Sequence, residues 1–305
     1  QISTDNEFLS LVFRTVSTSC LEIFVVPELI LDGDKTYYWR VRFFDNSNTG
    51  SDWSLPSQFT TDNSYPVDTN FNGVPDDLEV DAAVDLDNNG IPDRNQNDIK
   101  SMNTLLGTAQ VGVNVTSGNG VVDSVQSIDW DLIADSENRP DDMPMDLIGF
   151  KLKVDKGAQV EVAIYFSDQL PGNAGWFKYD VQNGWQDFSE HAVFTNTDDG
   201  RTIVFLELVD GGFGDADGVE NGVIVDPSGP EFDRSGLSLD DTVDPTEGVD
   251  TSSNDTIVET AQGDSESSGG CFIAAGAESR RMMAGSNMLL LLVISFSGFL
   301  FIRRK

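Results

Sequence analysis

The sequence predicts an all-β protein, with sandwich-like domains joined by a loop repeat and one apolar segment at the C-terminal end. Three observations predict it. Apolar residues alternate along Val111, Val113 and Val115, and again along Val160, Val162, Ile164 and Phe166. That is the two-residue period of a strand with one buried face. Turn dipeptides separate such runs. Asn183-Gly184 lies between Trp176-Phe177-Lys178-Tyr179 and Trp185 and predicts a type I′ hairpin, and Asp199-Gly200 before Thr202-Ile203-Val204-Phe205-Leu206 is another such hairpin signal. No long segment ahead of the tail carries the 3.6-residue period of an amphipathic helix.

A chain of 305 residues is long enough for two or three small domains. It begins at Gln1, without Met or a signal peptide, and reads as a fragment of a longer exported precursor. Its 52 acidic and 18 basic residues give a formal net charge of −34. A surface of that sign excludes nucleic acid as a partner, because phosphate neutralisation needs basic residues. It suits an extracellular, cation-rich setting, where bound metal relieves self-repulsion. Arg280, Arg281, Arg303, Arg304 and Lys305 flank the terminal apolar run. The two cysteines, Cys20 and Cys271, are too far apart for a disulfide framework. Cys20, in a strand-like run, reads as a small buried hydrophobe.

Residues 1–62 read as β. Leu21-Glu22-Ile23-Phe24-Val25-Val26 and Tyr37 to Phe44 are rich in aromatic and β-branched residues, with turns at Asp32-Gly33-Asp34 and Asn46 to Gly50. The run Tyr37 to Phe43, then Ser51-Asp52-Trp53-Ser54, then Gln58-Phe59-Thr60-Thr61 resembles the last strands of a fibronectin type III domain. The segment is shorter than the usual sandwich of about 100 residues, so a partial domain is expected.

Residues 63–100 hold an internal repeat. Asp68, Asn70, Asn72, Gly73, Val74, Pro75 and Asp76 recur as Asp85, Asp87, Asn89, Gly90, Ile91, Pro92 and Asp93. Oxygens on alternate residues of a tight loop, with glycine at the bend, meet the demand of Ca²⁺ for six to eight hard ligands. The first loop offers Asp68, Asn70, Asn72, the carbonyl of Val74, Asp76 at the ninth place and Glu79 at the twelfth. The second offers Asp85, Asp87, Asn89, the carbonyl of Ile91 and Asp93. Its twelfth residue is Gln96, which lacks a chelating carboxylate, so weaker binding, or a ligand borrowed from a neighbour, is expected there. Affinities of roughly 10⁻⁴–10⁻³ M, tighter for the first loop, are expected for extracellular sites. Pro75 and Pro92, and the closeness of the loops, leave no room for EF-hand helices. The pattern resembles thrombospondin type 3-like repeats without their cysteines, which implies a connector stiffened by calcium alone.

Residues 101–232 form a further β domain. Its end reads Asp210-Gly211-Gly212, Gly214-Asp215-Ala216-Asp217-Gly218 and Asn221-Gly222-Val223-Ile224-Val225-Asp226-Pro227. With the Trp176 to Trp185 hairpin, this resembles the choice-of-anchor U domain of bacterial surface proteins, with Ser228 where that family usually has glycine. The resemblance implies a module placed ahead of a C-terminal anchoring signal and no known reaction. Asp215 and Asp217 could ligate a third Ca²⁺ or cap turns; the sequence leaves both open.

No catalytic centre is expected. There is no Gly-x-Ser-x-Gly, phosphate loop or zinc spacing, and His191, the single histidine, reads as a surface residue at a hairpin edge. Trp130, Trp176 and Trp185 read as core or hairpin-face residues rather than a sugar platform.

Residues 233–268 are acidic and poor in large apolar side chains, and read as a disordered spacer. In residues 269–305, Gly269-Gly270-Cys271 precedes an apolar run from Met282 to Ile302 and a basic end. The run is long enough to span a membrane, and the basic end orients the rest outside. The order resembles tripartite bacterial sorting signals, which implies cleavage near Cys271 by an intramembrane processing enzyme and a modified or lipid-joined cysteine. Retention of the helix is the alternative. The whole reads as the stalk and anchoring end of an exported surface or outer-membrane protein, displaying upstream modules. An adhesin-like module with a glycan or protein ligand, and the non-catalytic end of a secreted hydrolase, are the alternatives.

Overall fold

The computed structural model describes residues 1–17, 24–45, 47–62, 66–107, 109–232 and 291–292. Those residues are all-β: they contain no α-helix, and short 3₁₀ turns at Asp93–Asn95, Trp130–Leu132 and Ser189–His191. The N-terminal unit holds β1 (Ile2–Ser3), β2 (Leu11–Phe13), β3 (Phe24–Val25), β4 (Thr36–Trp39) and β5 (Ser57–Thr60). Four of these form an antiparallel sheet in the order β2-β1-β4-β5. Phe13, Ile30 and Tyr37 fill its core.

The larger unit is a sandwich. Its strands are β6 (Ile99–Asn103), β7 (Gln110–Ser117), β8 (Gly120–Ile128), β9 (Leu147–Val154), β10 (Gln159–Phe166), β11 (Gly175–Asp180), β12 (Gly184–Asp187), β13 (Ala192–Asn196), β14 (Thr202–Val209) and β15 (Val223–Glu231). One five-stranded sheet runs β13-β14-β10-β7-β6 and the other β12-β11-β15-β9-β8. Val111, Val113, Val162, Ile164 and Phe166 of the first sheet meet Ile148, Phe150, Leu152, Trp176 and Ile224 of the second in one core.

The alternation read in the sequence holds where a sheet has one wet face. On β10, Val160, Val162, Ile164 and Phe166 are buried. On β9 it fails: six consecutive residues from Leu147 to Leu152 are buried. The reason is a second cover. The N-terminal unit lies on the outer face of β8, β9 and β15, with Val225 in its core cluster. Lys151 Nζ meets Asp32 Oδ1 at 2.6 Å, Gln126 Nε2 donates to Glu28 Oε2, and Arg14 N donates to the carbonyl of Asp217 at 3.0 Å. A sheet buried on both faces loses its period.

The Trp176 hairpin forms with a different turn from the one predicted. Asp180 pairs with Gly184, so three residues, Val181, Gln182 and Asn183, connect β11 to β12. Gly184 has φ +69°, whereas Asn183 is absent from the positive-φ residues, so the turn is not type I′. The cause is Asp180, whose Oδ1 accepts the N–H groups of Gln182 at 2.8 Å and Asn183 at 2.7 Å. That bonding tightens a right-handed turn and leaves only Gly184 left-handed.

The expected spacer over 233–268, Cys20, Cys271 and most of the apolar tail lie outside the described residues. Within the tail, Leu291–Leu292 forms β16, antiparallel to β3. Among the described residues no helix is long and apolar enough to cross a membrane.

The docked N-terminal unit carries a pH dependence. Burial, and then the charge of Asp129, push the Glu28 carboxyl from its ordinary 4.5 up to about 7. The folded protein therefore holds this proton more tightly than the unfolded chain does. Its contribution is full below about pH 4.5 and is lost as pH rises to about 7. Thermal unfolding should show stability falling across that window, and Glu28→Gln should flatten the slope.

Candidate metal centre

The sequence repeat is a repeat of hydrogen bonds. In the first loop, Asp68 accepts the N–H groups of Asn72 at 3.1 Å and Gly73 at 2.8 Å. In the second, Asp85 accepts those of Asn89 at 3.1 Å and Gly90 at 2.8 Å. Phe71 and Asn88 have φ +57° and +56°, and Gly73 and Gly90 follow at +83° and +88°. The ninth-place carboxylates close each loop onto its second residue. Asp76 accepts the N–H of Thr69 at 2.8 Å, and Asp93 accepts that of Leu86 at 3.1 Å. Both were read from sequence as ligands; in the structure each also accepts a hydroxyl, from Thr69 and Ser101 respectively.

The loops are packed on the sandwich. Val74 and Leu78 enter its core. Val125 N donates to the carbonyl of Gly73 at 2.8 Å, and Asn103 N donates to that of Leu78 at 2.7 Å. Basic side chains pin both loops from the sandwich side. Lys100 Nζ donates to the carbonyl of Asn72, and Arg201 Nη1 donates to the carbonyls of Asp85 and Leu86, each at 3.1 Å.

The outward side chains converge. In the first loop, Glu79 Oε1 accepts the amides of Asn70 at 2.6 Å and Asn72 at 3.0 Å. In the second, carboxylate oxygens of Asp85, Asp87 and Asp93 lie within 4.8 Å of one another. The Asn89 amide donates to Asp87 Oδ2 at 2.8 Å and to Gln96 Oε1 at 2.6 Å. Gln96 Nε2 donates to the carbonyl of Ile91 at 3.0 Å. Gln96 was passed over because an amide cannot chelate; its twelfth place in the repeat was the signal. The loops face a groove of about 460 Å³ lined by Asn72, Glu79, Gln96 and Lys100.

The charges oppose one another. Desolvation, then the neighbouring Asp85, push Asp87 up. Desolvation also raises Asp93, with the charges of Asp87 and Asp85 adding to it against the bonds from Ser101 and Leu86. For Asp85 desolvation is outweighed, and the N–H groups of Gly90 and Asn89 hold it low. The donor set of carboxylates, amide oxygens and a backbone carbonyl suits a hard cation and offers no nitrogen or sulfur ligand.

Asp215 and Asp217 cap turns. Asp215 accepts the N–H groups of Gly211 at 2.8 Å, Asp217 at 3.2 Å and Val225 at 3.1 Å. Asp217 accepts Val219 N at 2.7 Å and Asn221 Nδ2 at 3.0 Å. Burial pushes both up, and for Asp217 the neighbouring Asp215 adds to it. His191 is exposed, its ring 5.0 Å from Phe188 and 4.6 Å from Phe213. Trp176 and Trp185 are buried, and Trp130 packs edge-on against Trp185 at 6.4 Å.

Gly73 and Gly90 occupy equivalent places in unequal surroundings. A Cβ on Gly73 would strike the carbonyl of Asp123, whereas nothing lies within 4 Å of one on Gly90. Gly90→Ala should cost about 1–2 kcal/mol from left-handed strain alone. Gly73→Ala should cost more, because it also displaces the loop from β8. Chemical denaturation of the two variants measures the difference.

No family model, curated protein or solved structure matches this chain.

Proposed function

We propose that this chain is the calcium-stabilised stalk and anchoring end of an exported bacterial surface protein, which displays upstream modules. The observation that carries the reading is the second loop, where Asp85, Asp87 and Asp93 bring oxygens within 4.8 Å of one another. Asp85, Asp87, Asn89, Gln96 and the carbonyl of Ile91 would hold the ion there, and Asp68, Asn70, Asn72 and Glu79 would hold one in the first loop. Val74 would offer its carbonyl, Asp76 keeps the first loop closed, and Asp93 both closes the second loop and supplies the third carboxylate of its cluster. The ion supplies positive charge to a repelling group of carboxylates. Because Val74 and Leu78 belong to the sandwich core, closing the loops stabilises the sandwich as well.

Calcium should therefore raise the thermal midpoint of the full chain, by about 1.4 kcal/mol of stability per occupied loop at free calcium ten times that loop's Kd. Asp85→Asn with Asp87→Asn should remove the second loop's share of that response and leave the first loop's. An unchanged midpoint at millimolar calcium, with no heat in calorimetry, overturns the calcium assignment.

The tail motif supports attachment at a membrane through the apolar segment, with Cys271 as the processing or lipid-attachment residue. Mass spectrometry of the mature C-terminus should find the chain ending near Cys271. An intact Arg303-Arg304-Lys305 end overturns processing and leaves the helix as the anchor.

A further inference from the structure

A lysine and an aspartate meet inside the sandwich with nothing to do as charges. Lys178 Nζ lies 2.9 Å from Asp226 Oδ1, and the two side chains are 2% and 0% exposed. The sheet register makes them neighbours. Lys178 of β11 stands opposite Ser228 of β15, and Asp226 lies two residues along on the same face. On its other side Asp226 stands opposite Phe150 of β9. That face is the inner one, where Trp176, Phe150 and Ile224 form the main core.

The surroundings leave this pair without hydrogen-bond support. A buried ammonium has three donors and a carboxylate about four acceptor sites, and burying them is costly unless they are hydrogen-bonded. Neither Lys178 Nζ nor either carboxylate oxygen of Asp226 has a partner in hydrogen-bond geometry. Ser228 Oγ and Trp176 Nε1, buried on the same face, also lack partners. This contrasts with two other buried carboxylates of the domain: Asp210 and Asp215 each accept three backbone N–H groups. An amine nitrogen and a carboxyl group shut away from water, with no competing partner, can react only with each other. The Lys178 nitrogen and the Asp226 carboxyl group are held at reacting distance.

We propose that Lys178 and Asp226 form an intramolecular isopeptide bond that joins β11 to β15. The ammonium first gives a proton to the carboxylate. The Nζ lone pair then attacks Cγ of Asp226 and forms the C–N bond. A second proton passes from nitrogen to the departing hydroxyl, the C–O bond breaks and one water leaves. The step is redox-neutral and needs no co-reactant. The product is a neutral amide, which removes both buried charges and closes a covalent loop between adjacent strands. Such a closure restricts the unfolded chain as a disulfide does, without dependence on redox conditions.

The test is intact-mass spectrometry of the purified full chain under denaturing conditions. The expected mass is one water below the sequence mass. A protease digest should contain the Lys178 peptide joined to the Asp226 peptide, with no tryptic cleavage at Lys178. Lys178→Met and Asp226→Ala should each restore the unmodified mass. Asp-Gly pairs such as Asp210-Gly211 can also lose water by cyclising, so the joined peptide decides. A wild-type chain at full sequence mass overturns the proposal, as does a water loss that persists in Lys178→Met. The wild-type peptide map stands alone should either variant fail to fold.

Discussion

Carboxylates accepting backbone N–H groups hold this molecule's turns together. Asp68 and Asp85 bend the two loops, Asp76 and Asp93 close them, and Asp180 sets the β11–β12 turn. Asp210 gathers the N–H groups of Gly157, Asn221 and Gly222, and so ties three segments to one point. A charged acceptor makes a stronger bond to an N–H than a neutral one does. The acidic excess of this chain is therefore partly internal architecture rather than only a solvated surface.

That architecture explains how a cation could matter to the whole fold. The loops lend Val74 and Leu78 to the sandwich core, and backbone bonds through Gly73 and Leu78 join them to β8 and the end of β6. Lys100 and Arg201 hold the loops by their carbonyls rather than by their carboxylates, and so leave the carboxylates of Asp68, Asp85 and Asp87 without a basic partner from these two side chains. The convergence of three carboxylates falls in the second loop, the one whose twelfth residue is an amide. Position in the repeat ranked the first loop higher; packing decided where the negative charge gathers.

The second sheet owes its character to being covered twice. Its central strand β15 runs through Asp226-Pro227-Ser228-Gly229-Pro230, a stretch that local preference assigns to a loop. It is held as a strand because β9 and β11 flank it and the N-terminal unit closes its outer face. On the opposite, inner face the main core removes water from Lys178 and Asp226.

The sequence by itself determined the all-β class, the strands β7 and β10, both hairpins and the spacing of the two loops. Those features are local: side-chain alternation, turn residues and a repeat need only neighbours along the chain. Only the tertiary structure decided that β9 would be buried on both faces, that Asp76 and Asp93 would close loops, that Gln96 would join the cluster, and that Lys178 would meet Asp226. Each of these depends on which distant segment lies alongside, and side-chain chemistry along one strand does not encode its neighbour across the sheet. The loops at 68–98 show both halves of this. Their ligand pattern is written residue by residue, while their attachment to the sandwich follows from the apolar burial of Val74 and Leu78.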